Sequence, residues 1–450
     1  MHKARNTTVI LLFLDIAMLV LVFNAIAWIR GLHSPTDWIL LPLCVPALLV
    51  VCSLYLIDGY KSQTDMVSLD YTSEHIISLI AAMIGTLLFT FVFLTGGFPL
   101  QQSRGVILLS FVLYMPVSLA YRRARYMSAR AAREGQALVF IGAPESRGIF
   151  QEECARMEST QPIIYATHQP SAGTDDNIPI DDLLSQIETG RLKVEAVIIR
   201  ENNHELSSRV SQRLVELYFH GIPTYTLELF HQVYWRKIPL YRLNQTWLFQ
   251  EGFKIAREPV FERLKRLSDI FFSLFALTIG APVFIAIALA VWLDDRGPVL
   301  FRQTRIGKNR VPFRLFKFRT MRPNDGKDAY TQVGDLRITR IGKFLRASRL
   351  DELPQMINVL LGDMSLIGPR AEWDKLVHEY EIKIPCYHFR HLVKPGITGW
   401  AQINYPYGAN LEDTLRKLEY DLYYIRHFSF LIDAAIVLKT IHIMLFGKGR

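Results

Sequence analysis

Long apolar runs dominate the first quarter of the chain. They cover roughly residues 9–29, 38–57, 76–98 and 106–121. Each run approaches the length of about 20 residues that crosses a bilayer as an α-helix. Lys3 and Arg5 precede the first run, and a cluster of arginines follows the fourth. Because Lys and Arg favour the cytoplasmic side of a membrane, the pattern predicts a bundle of four transmembrane helices over residues 1–125 with both ends in the cytoplasm.

The pattern changes over residues 126–250, where short apolar runs alternate with polar, helix-like stretches. The runs are ALVFIGA, IIYAT, AVIIR and PTYTL, which begin at residues 137, 163, 196 and 223. Strands separated by helices are typical of a parallel sheet, so a Rossmann-like α/β cytoplasmic domain is predicted. Gly142 and Gly148 are spaced roughly as in a dinucleotide-binding turn, but Pro144 replaces the second glycine. A structural or regulatory role is therefore favoured over cofactor binding.

A fifth apolar run, residues 270–293, has two features that argue against a straight membrane span. Five Lys or Arg residues lie on each side of it, so the charge bias places both ends in the cytoplasm. Pro282, near its midpoint, removes a backbone hydrogen bond and bends a helix. A re-entrant helix that enters and leaves on one face is favoured over a fifth span. At its entry, Asp269 is expected to pair with Lys265 or Arg266 at helical spacing.

Charge is concentrated just after this run. The chain carries a formal net charge of +9, and residues 302–349 hold 14 Lys or Arg residues against three acids. This excess predicts a phosphate-bearing partner, an anionic membrane surface, or both. Aromatic and basic residues also alternate there, as in some nucleic-acid-binding proteins, but the position after a membrane segment favours an interfacial strand or helix. The four cysteines have neither disulfide-framework nor zinc-site spacing.

The segment 349–370, RLDELPQMINVLLGDMSLIGPR, contains two adjacent acids, Asp351 and Glu352. Pro354 favours the first turn of a helix and Gly362 its end, so the pair is predicted beside a helix N-terminus, which favours anions. Two adjacent carboxylates repel each other, and a proton or a divalent cation relieves that repulsion. The alternative is an ordinary helix cap.

Cationic residues flank this pair in the sequence. Arg337, Arg340 and Arg346 precede it. Each is a candidate for binding phosphate, and the alternative for each is a structural contact or a contact with lipid head groups. Pro369 and Arg370 follow it as a rigid turn that carries a guanidinium suited to phosphate.

Two further segments complete the chain. Residues 391–408 are predicted to form a loop rich in Gly and Pro, in which Trp400 and Gln402 either contribute to a binding surface or support the loop. Residues 419–450 are amphipathic to apolar and are expected to form helices that dock on the domain or lie at the membrane interface.

Several short sequence motifs in the last 190 residues occur in the same order as in a known family. In these motifs the chain resembles the bacterial sugar transferases, the monotopic polyprenyl-phosphate phosphoglycosyl transferases. The matching blocks within residues 263–433 are KRLSDIFFS…AP, GPVLFRQTRIGK, FKFRTM, DLRITRIGKFLRASRLDELPQ, NVLLGDMSLIGPR, KPGITGWAQIN and YDLYYIRHFSFLID. The break in the membrane helix, often Ser-Pro in that family, is Ala281 and Pro282 here. With the resemblance, residues 251–450 are predicted to form a mostly helical α+β catalytic domain whose re-entrant helix covers about 266–293.

The resemblance implies an activity. A sugar-1-phosphate would pass from a nucleoside diphosphate sugar, with uridine as the expected base, to polyprenyl (undecaprenyl) phosphate. The nucleoside monophosphate would be released. Asp351 would form a covalent phosphosugar intermediate, Glu352 would act as a base or position a metal, and Mg²⁺ would bind at the pair. Arg370 would bind phosphate. The predicted setting is the bacterial inner membrane. The lipid bilayer is an expected partner, a homodimer is left open, and no nucleic acid is expected.

Two alternatives stay open from the sequence. A glycosyltransferase that moves only the sugar would release the nucleoside diphosphate instead of the monophosphate. A membrane-anchored nucleotide sensor built on residues 137–250 would need no nucleophile. Glucose, galactose and N-acetylated sugars all remain candidate substrates.

Overall fold

The computed structural model describes most of the chain. The described residues are 2–32, 34, 36–60, 64–93, 104–131, 136–142, 144–157, 161–167, 177–200, 207–240, 259–322, 337–405 and 410–446. The chain divides into two compact units, Met1–Trp235 and Arg236–Arg450.

The first unit opens with four apolar helices, as predicted. They are α1 (His2–Ile29), α2 (Cys44–Leu56), α3 (Leu69–Leu88) and α4 (Arg104–Ala131). The second is shorter than the predicted span because Pro42 and Pro46 delay its start, and with a preceding 3₁₀ turn it covers only Leu41–Leu56. The third begins at Leu69 rather than residue 76, and its predicted end at residues 94–98 lies outside the described residues.

Four helices of the described chain are long and apolar enough to cross a membrane. They are Thr8–Ile29, Tyr71–Phe91, Arg104–Ser128 and Val260–Asp294. Their length and composition indicate that the protein associates with a membrane.

A buried ion pair links the N-terminal helices. Asp15 of α1 and Arg122 of α4 lie 2.5 Å apart, and neither side chain is exposed. The hydroxyls of Tyr60 and Tyr114 donate to the Asp15 carboxylate over 2.6 and 3.1 Å, and Arg122 also donates to the Gly59 carbonyl. The charge in the first apolar run is therefore paired and hydrogen-bonded, as a charge in an apolar environment must be.

The rest of the first unit is a five-stranded parallel sheet. Its strands are β1 (Ala137–Ile141), β2 (Ile163–Thr167), β3 (Asn177–Pro179), β4 (Val194–Ile199) and β5 (Thr224–Thr226), in the order β3-β2-β1-β4-β5. Its helices are α5 (Pro144–Arg156), α6 (Ile180–Glu188), α7 (Ser208–Phe219) and α8 (Leu227–Phe230). The predicted parallel α/β sheet is confirmed, although the three-residue β3 was not predicted. Gly148 lies inside α5 rather than in a turn.

The second unit is mostly helical with short strands. The helices are α9 (Pro259–Asp295), α10 (Arg340–Ser348), α11 (Gln355–Leu361), α12 (Asp374–Lys383), α13 (Trp400–Asn404), α14 (Leu411–Arg426) and α15 (Phe430–Phe446). The strands β6 (Leu300–Ile306) and β7 (Pro312–Phe318) form an antiparallel hairpin, and β8 (Ser365–Ile367) pairs in parallel with β9 (Gly396–Thr398).

Trp400 is part of the core of this unit. It is 1% exposed, and its indole N–H donates to the Arg236 carbonyl over 3.0 Å. Ile238 and Leu240, just after the start of the unit, belong to the same core cluster. Of the two roles considered for Trp400, substrate contact or support of its loop, this burial favours the second. The C-terminal helix α15 docks on the domain, with Ile436 fully buried in that cluster.

The apolar helix α9 is 37 residues long and continues through Pro282. Large apolar side chains are exposed along much of its length, including Phe271 at 62%, Ile279 at 63% and Ile285 at 68%. Its second half packs on the hairpin and α10, with the rings of Phe284 and Phe318 at 5.8 Å. The exposed apolar part is suited to lipid contact, and its re-entrant course stays a prediction.

The polar residues at the start of α9 bind distant parts of the unit, which corrects the expected pairing within the helix. Lys265 forms an ion pair with Asp433 of α15. Arg266 donates to the carbonyls of the last turn of α11. Asp269 accepts from the Ser365 hydroxyl (3.1 Å) and the next backbone N–H (3.0 Å). These contacts attach the apolar helix to both α11 and β8.

Cysteine labelling tests the predicted course of α9. In a variant without the four native cysteines, Ile255→Cys and Val311→Cys should react with a membrane-impermeant maleimide only after cells are opened, because a re-entrant helix leaves both positions in the cytoplasm. A cysteine in a periplasmic loop of a known protein serves as the labelling control. Reaction of one of the two positions in intact cells would contradict the re-entrant course.

Candidate active site

The two adjacent acids lie in a 3₁₀ turn, Leu350–Glu352, between α10 and α11. Gly362, in the left-handed conformation with φ 95°, ends α11 as predicted. The residue at the N-cap of α11 is Pro354, which makes no side-chain cap hydrogen bond. Neither acid therefore caps the helix, and both carboxylates are available for other contacts.

Glu352 is held by two cations from separate parts of the chain. One oxygen, Oε1, accepts from Lys317 Nζ at 2.9 Å and from Arg370 Nη2 at 3.1 Å. Burial alone would raise the pKa of this carboxyl, but Arg370 and Lys317 outweigh burial and lower the pKa to about 2. Glu352 is therefore an ionised carboxylate at any physiological pH and a weak proton acceptor.

Asp351 has a different environment although it is the next residue. It is 9% exposed, and burial raises its pKa above the ordinary value. The Lys317 charge opposes this rise, the neighbouring Glu352 charge adds to it, and Arg346 opposes it from α10. The two carboxyl groups thus have pKa values displaced in opposite directions, which is a feature of sites where two acids have different roles.

Lys317 was not identified as a site residue from the sequence. It shares one face of β7 with Phe313 and Leu315, whose side chains are buried. In the hairpin register Phe313 pairs with Arg305 of β6, so Arg305 lies on that face as well. Two-residue alternation could have revealed both cations, but Phe316 and Phe318 make the opposite face of β7 look equally apolar.

A small surface pocket opens beside the two cations that hold Glu352. It is lined by Arg305, Leu315, Lys317, Gln355, Met364, Arg370, Ala371 and Gly396. Three of these residues are cationic. Arg305 donates Nη1 to the Ala371 carbonyl over 3.0 Å, and its buried Nε has no partner in the described part of the chain. Clustered cations with an unused donor are suited to binding a phosphate or diphosphate.

The backbone around Arg370 is fixed by β9. The Pro369 carbonyl accepts from Gly396 N–H over 2.9 Å, and Gly368 N–H donates to the Thr398 carbonyl over 2.9 Å. A Cβ on Gly396 would lie 2.0 Å from the Gly368 nitrogen, so only glycine permits this approach. The rigid turn predicted at Pro369 and Arg370 thus rests on a close backbone pairing.

Other residues predicted to bind substrate lie around the site rather than in its pocket. Arg340 is exposed at the start of α10, and the Arg337 carbonyl accepts from Arg322 N–H. Arg346 acts on Asp351 through its charge. Gln402 donates to the Ile397 carbonyl over 3.1 Å, and its buried Oε1 has no partner among the described residues.

Asp351 and Glu352 are the two adjacent acids at this site that could contribute carboxylates to a Mg²⁺ site. The described residues contain no group of three or more side chains that could together hold a metal. Mg²⁺ commonly takes one or two carboxylates and completes its shell with water and substrate phosphate oxygens. Asp351 and Glu352 supply such carboxylates beside a pocket suited to phosphate.

Comparisons with known proteins identify the family of the second unit. The model of the family described as bacterial sugar transferase matches residues 260–447. The exopolysaccharide production protein PSS of Rhizobium leguminosarum bv. phaseoli is 44% identical over 187 residues, which cover 40% of this chain and 93% of that protein. The chain belongs to the bacterial sugar transferase family.

Two further relatives have more specific names. UDP-N-acetylgalactosamine-undecaprenyl-phosphate N-acetylgalactosaminephosphotransferase of Aeromonas hydrophila is 37% identical over 59% of this chain and 63% of its own length. UDP-glucose:undecaprenyl-phosphate glucose-1-phosphate transferase of Escherichia coli (strain K12) is 46% identical over 40% of this chain and 39% of its own length. The match thus spans less than two thirds of either protein.

Proposed function

We propose that this chain transfers a sugar-1-phosphate from a uridine diphosphate sugar to undecaprenyl phosphate and releases uridine monophosphate, as the initiating step of a cell-surface polysaccharide. The observation that carries this proposal is a buried aspartate beside a cationic pocket: Asp351 adjoins Glu352, which Lys317 and Arg370 hold at the pocket. The names of the relatives from Aeromonas and Escherichia describe this type of transfer.

Asp351 is the proposed nucleophile. Its carboxylate oxygen attacks the phosphorus that carries the sugar, and the bond from that phosphorus to the uridine monophosphate oxygen breaks. The sugar-1-phosphate is then held as an acyl phosphate on Asp351. An oxygen of undecaprenyl phosphate next attacks the same phosphorus, and the Asp351 carboxylate leaves. The lipid product is a diphosphate, and the aspartate is regenerated.

The neighbouring charges fit this chemistry. Phosphoryl transfer depends mainly on alignment and on neutralising negative charge. Lys317, Arg370 and Arg305 line the pocket, where they stabilise the leaving monophosphate. With a pKa of about 2, Glu352 orients these cations or a metal rather than accepting a proton. Mg²⁺ bound by Asp351 and Glu352 would supply further neutralisation of phosphate charge.

The apolar helix fits the lipid acceptor. The exposed apolar side chains of α9 include Phe271 and Ile279, and the start of this helix is attached to α11 and β8. Since α11 directly follows the acid pair, this attachment sets the site close to the end of the apolar segment. We place the protein in the bacterial inner membrane with the catalytic unit in the cytoplasm, where undecaprenyl phosphate can present its head group while its tail stays in lipid.

The nucleotide product tests the proposed function. The full chain in lipid nanodiscs, given undecaprenyl phosphate and a panel of uridine diphosphate sugars, should release uridine monophosphate in step with lipid diphosphate sugar. Asp351→Asn should lower the rate by about 10³-fold or more, since it removes the nucleophile. Glu379→Gln, at an exposed carboxyl paired with Lys383, is the matched control and should retain activity.

Two results would contradict this proposal. Release of uridine diphosphate would mean that only the sugar moves. Full turnover by Asp351→Asn would exclude the aspartate as the nucleophile, and nucleotide binding without any transfer would favour a sensor.

The pH profile of the reaction tests the environment of the pair. Because Asp351 attacks as a carboxylate, kcat/KM should fall as the pH drops through its pKa. Lys317 lowers the pKa of both acids, so Lys317→Met should move this acid limb to higher pH. Lys383→Met, which removes an exposed cation paired with Glu379, should leave the limb in place. An acid limb that Lys317→Met does not move would contradict the assignment.

A further inference from the structure

The stretch that carries Arg370 is irregular, yet its carbonyls are held by donors from several elements. The Pro369 carbonyl accepts from the backbone of β9, and the Glu372 carbonyl accepts from Ile306 of β6 over 3.1 Å. The carbonyls between them accept from arginine side chains: Ala371 from Arg305 and Arg370 from Arg390, each over 3.0 Å. Buried backbone carbonyls outside helices and strands need hydrogen-bond donors of this kind, because an unpaired buried carbonyl costs free energy.

Arg390 makes the most elaborate of these contacts. It lies in a 3₁₀ segment, Tyr387–Leu392, and is 6% exposed. Its Nη2 donates both to the Arg370 carbonyl and to Asp421 Oδ2, the latter over 2.9 Å, and its Nη1 donates to the Tyr387 hydroxyl over 2.6 Å. The planar guanidinium therefore joins α14 and the 3₁₀ segment to the backbone of the proposed phosphate-binding residue.

The burial of this ion pair is not explained by stability alone. Asp421 is 2% exposed, and burial raises its pKa to about 6 even though Arg390 opposes the rise. Removing two charges from water costs much of what their attraction gains, and apolar residues often fill such a space equally well. An apolar pair could not donate to the Arg370 carbonyl, so the geometric role of Arg390 distinguishes it from a core contact.

Arg390 is absent from the residues that line the pocket in the described chain. It can affect a bound phosphate only through Arg370, whose carbonyl it binds and whose guanidinium reaches the pocket. We propose that Arg390, oriented by Asp421 and Tyr387, is a positioning residue that sets the backbone of Arg370 and thereby the reach of its guanidinium to the substrate diphosphate. This proposal rests on the proposed function for the identity of the substrate.

A double-mutant cycle tests this coupling with uridine diphosphate as the probe. Calorimetric binding to the full chain in nanodiscs is compared for the original protein, Arg390→Lys, Arg370→Met and the double variant. Lysine keeps the charge beside Asp421 but lacks the planar fork that reaches several acceptors at once. Arg390→Lys should weaken binding about tenfold when Arg370 is present and less than about twofold when residue 370 is methionine.

Controls separate positioning from a loss of fold. Arg416→Lys disturbs another arginine–carboxylate contact on α14, to Glu419 at 3.4 Å, and should lower the melting temperature without weakening uridine diphosphate binding. If Arg390→Lys fails to fold, Tyr387→Phe removes one orienting hydroxyl and should weaken binding about threefold, again only with Arg370 present.

The outcomes distinguish this proposal from the proposed function. Equal weakening by Arg390→Lys in both backgrounds would overturn the positioning role while leaving the transfer reaction intact. Unchanged binding in Arg370→Met would overturn both the positioning role and the phosphate-binding role of Arg370. Loss of transfer chemistry in Asp351→Asn is measured separately through the nucleotide product, so failure of one test does not decide the other.

Discussion

The contact of Glu352 with Lys317 and Arg370 is the interaction on which the rest of the site depends. A single carboxylate oxygen accepts from β7 and from the turn after β8, so it joins the hairpin and the parallel strand pair to the turn before α11. The same two cations keep Glu352 ionised, while burial raises the pKa of Asp351 beside it. Without Glu352, Lys317 and Arg370 would lose the carboxylate that both contact, and their like charges would repel each other.

The sequence predicts the fold well where one local pattern decides it. The strands of the parallel sheet follow short apolar runs, and β2 begins and ends where predicted, at Ile163 and Thr167. Prediction fails where the deciding neighbour is distant or the element is very short. Lys265 pairs with an aspartate 168 residues away rather than with Asp269 on its own helix, and the three-residue strand β3 was not predicted.

For the site, the sequence identifies residues whose chemistry is visible locally and misses those that depend on register. The adjacent acids and the arginine after Pro369 stand out through their residue types together with the family resemblance, because an acid pair by itself is also typical of a helix cap. Lys317 and Arg305 do not, since aromatic residues occupy both faces of β7 and hide which face is buried. Arg390 is a further case: its partners Arg370 and Asp421 lie 20 and 31 residues away on either side and meet only in the folded unit.

The central claim is that Asp351 carries the sugar-1-phosphate between donor and acceptor. Mixing the full chain with a uridine diphosphate sugar in the absence of undecaprenyl phosphate, followed by acid quenching and peptide mass spectrometry, tests it most directly. The account predicts a burst of uridine monophosphate that does not exceed one equivalent per chain, with the mass of one sugar-1-phosphate on the peptide that contains Asp351. A transferase that forms its lipid product at full rate, yet shows neither burst nor adduct, would contradict the account.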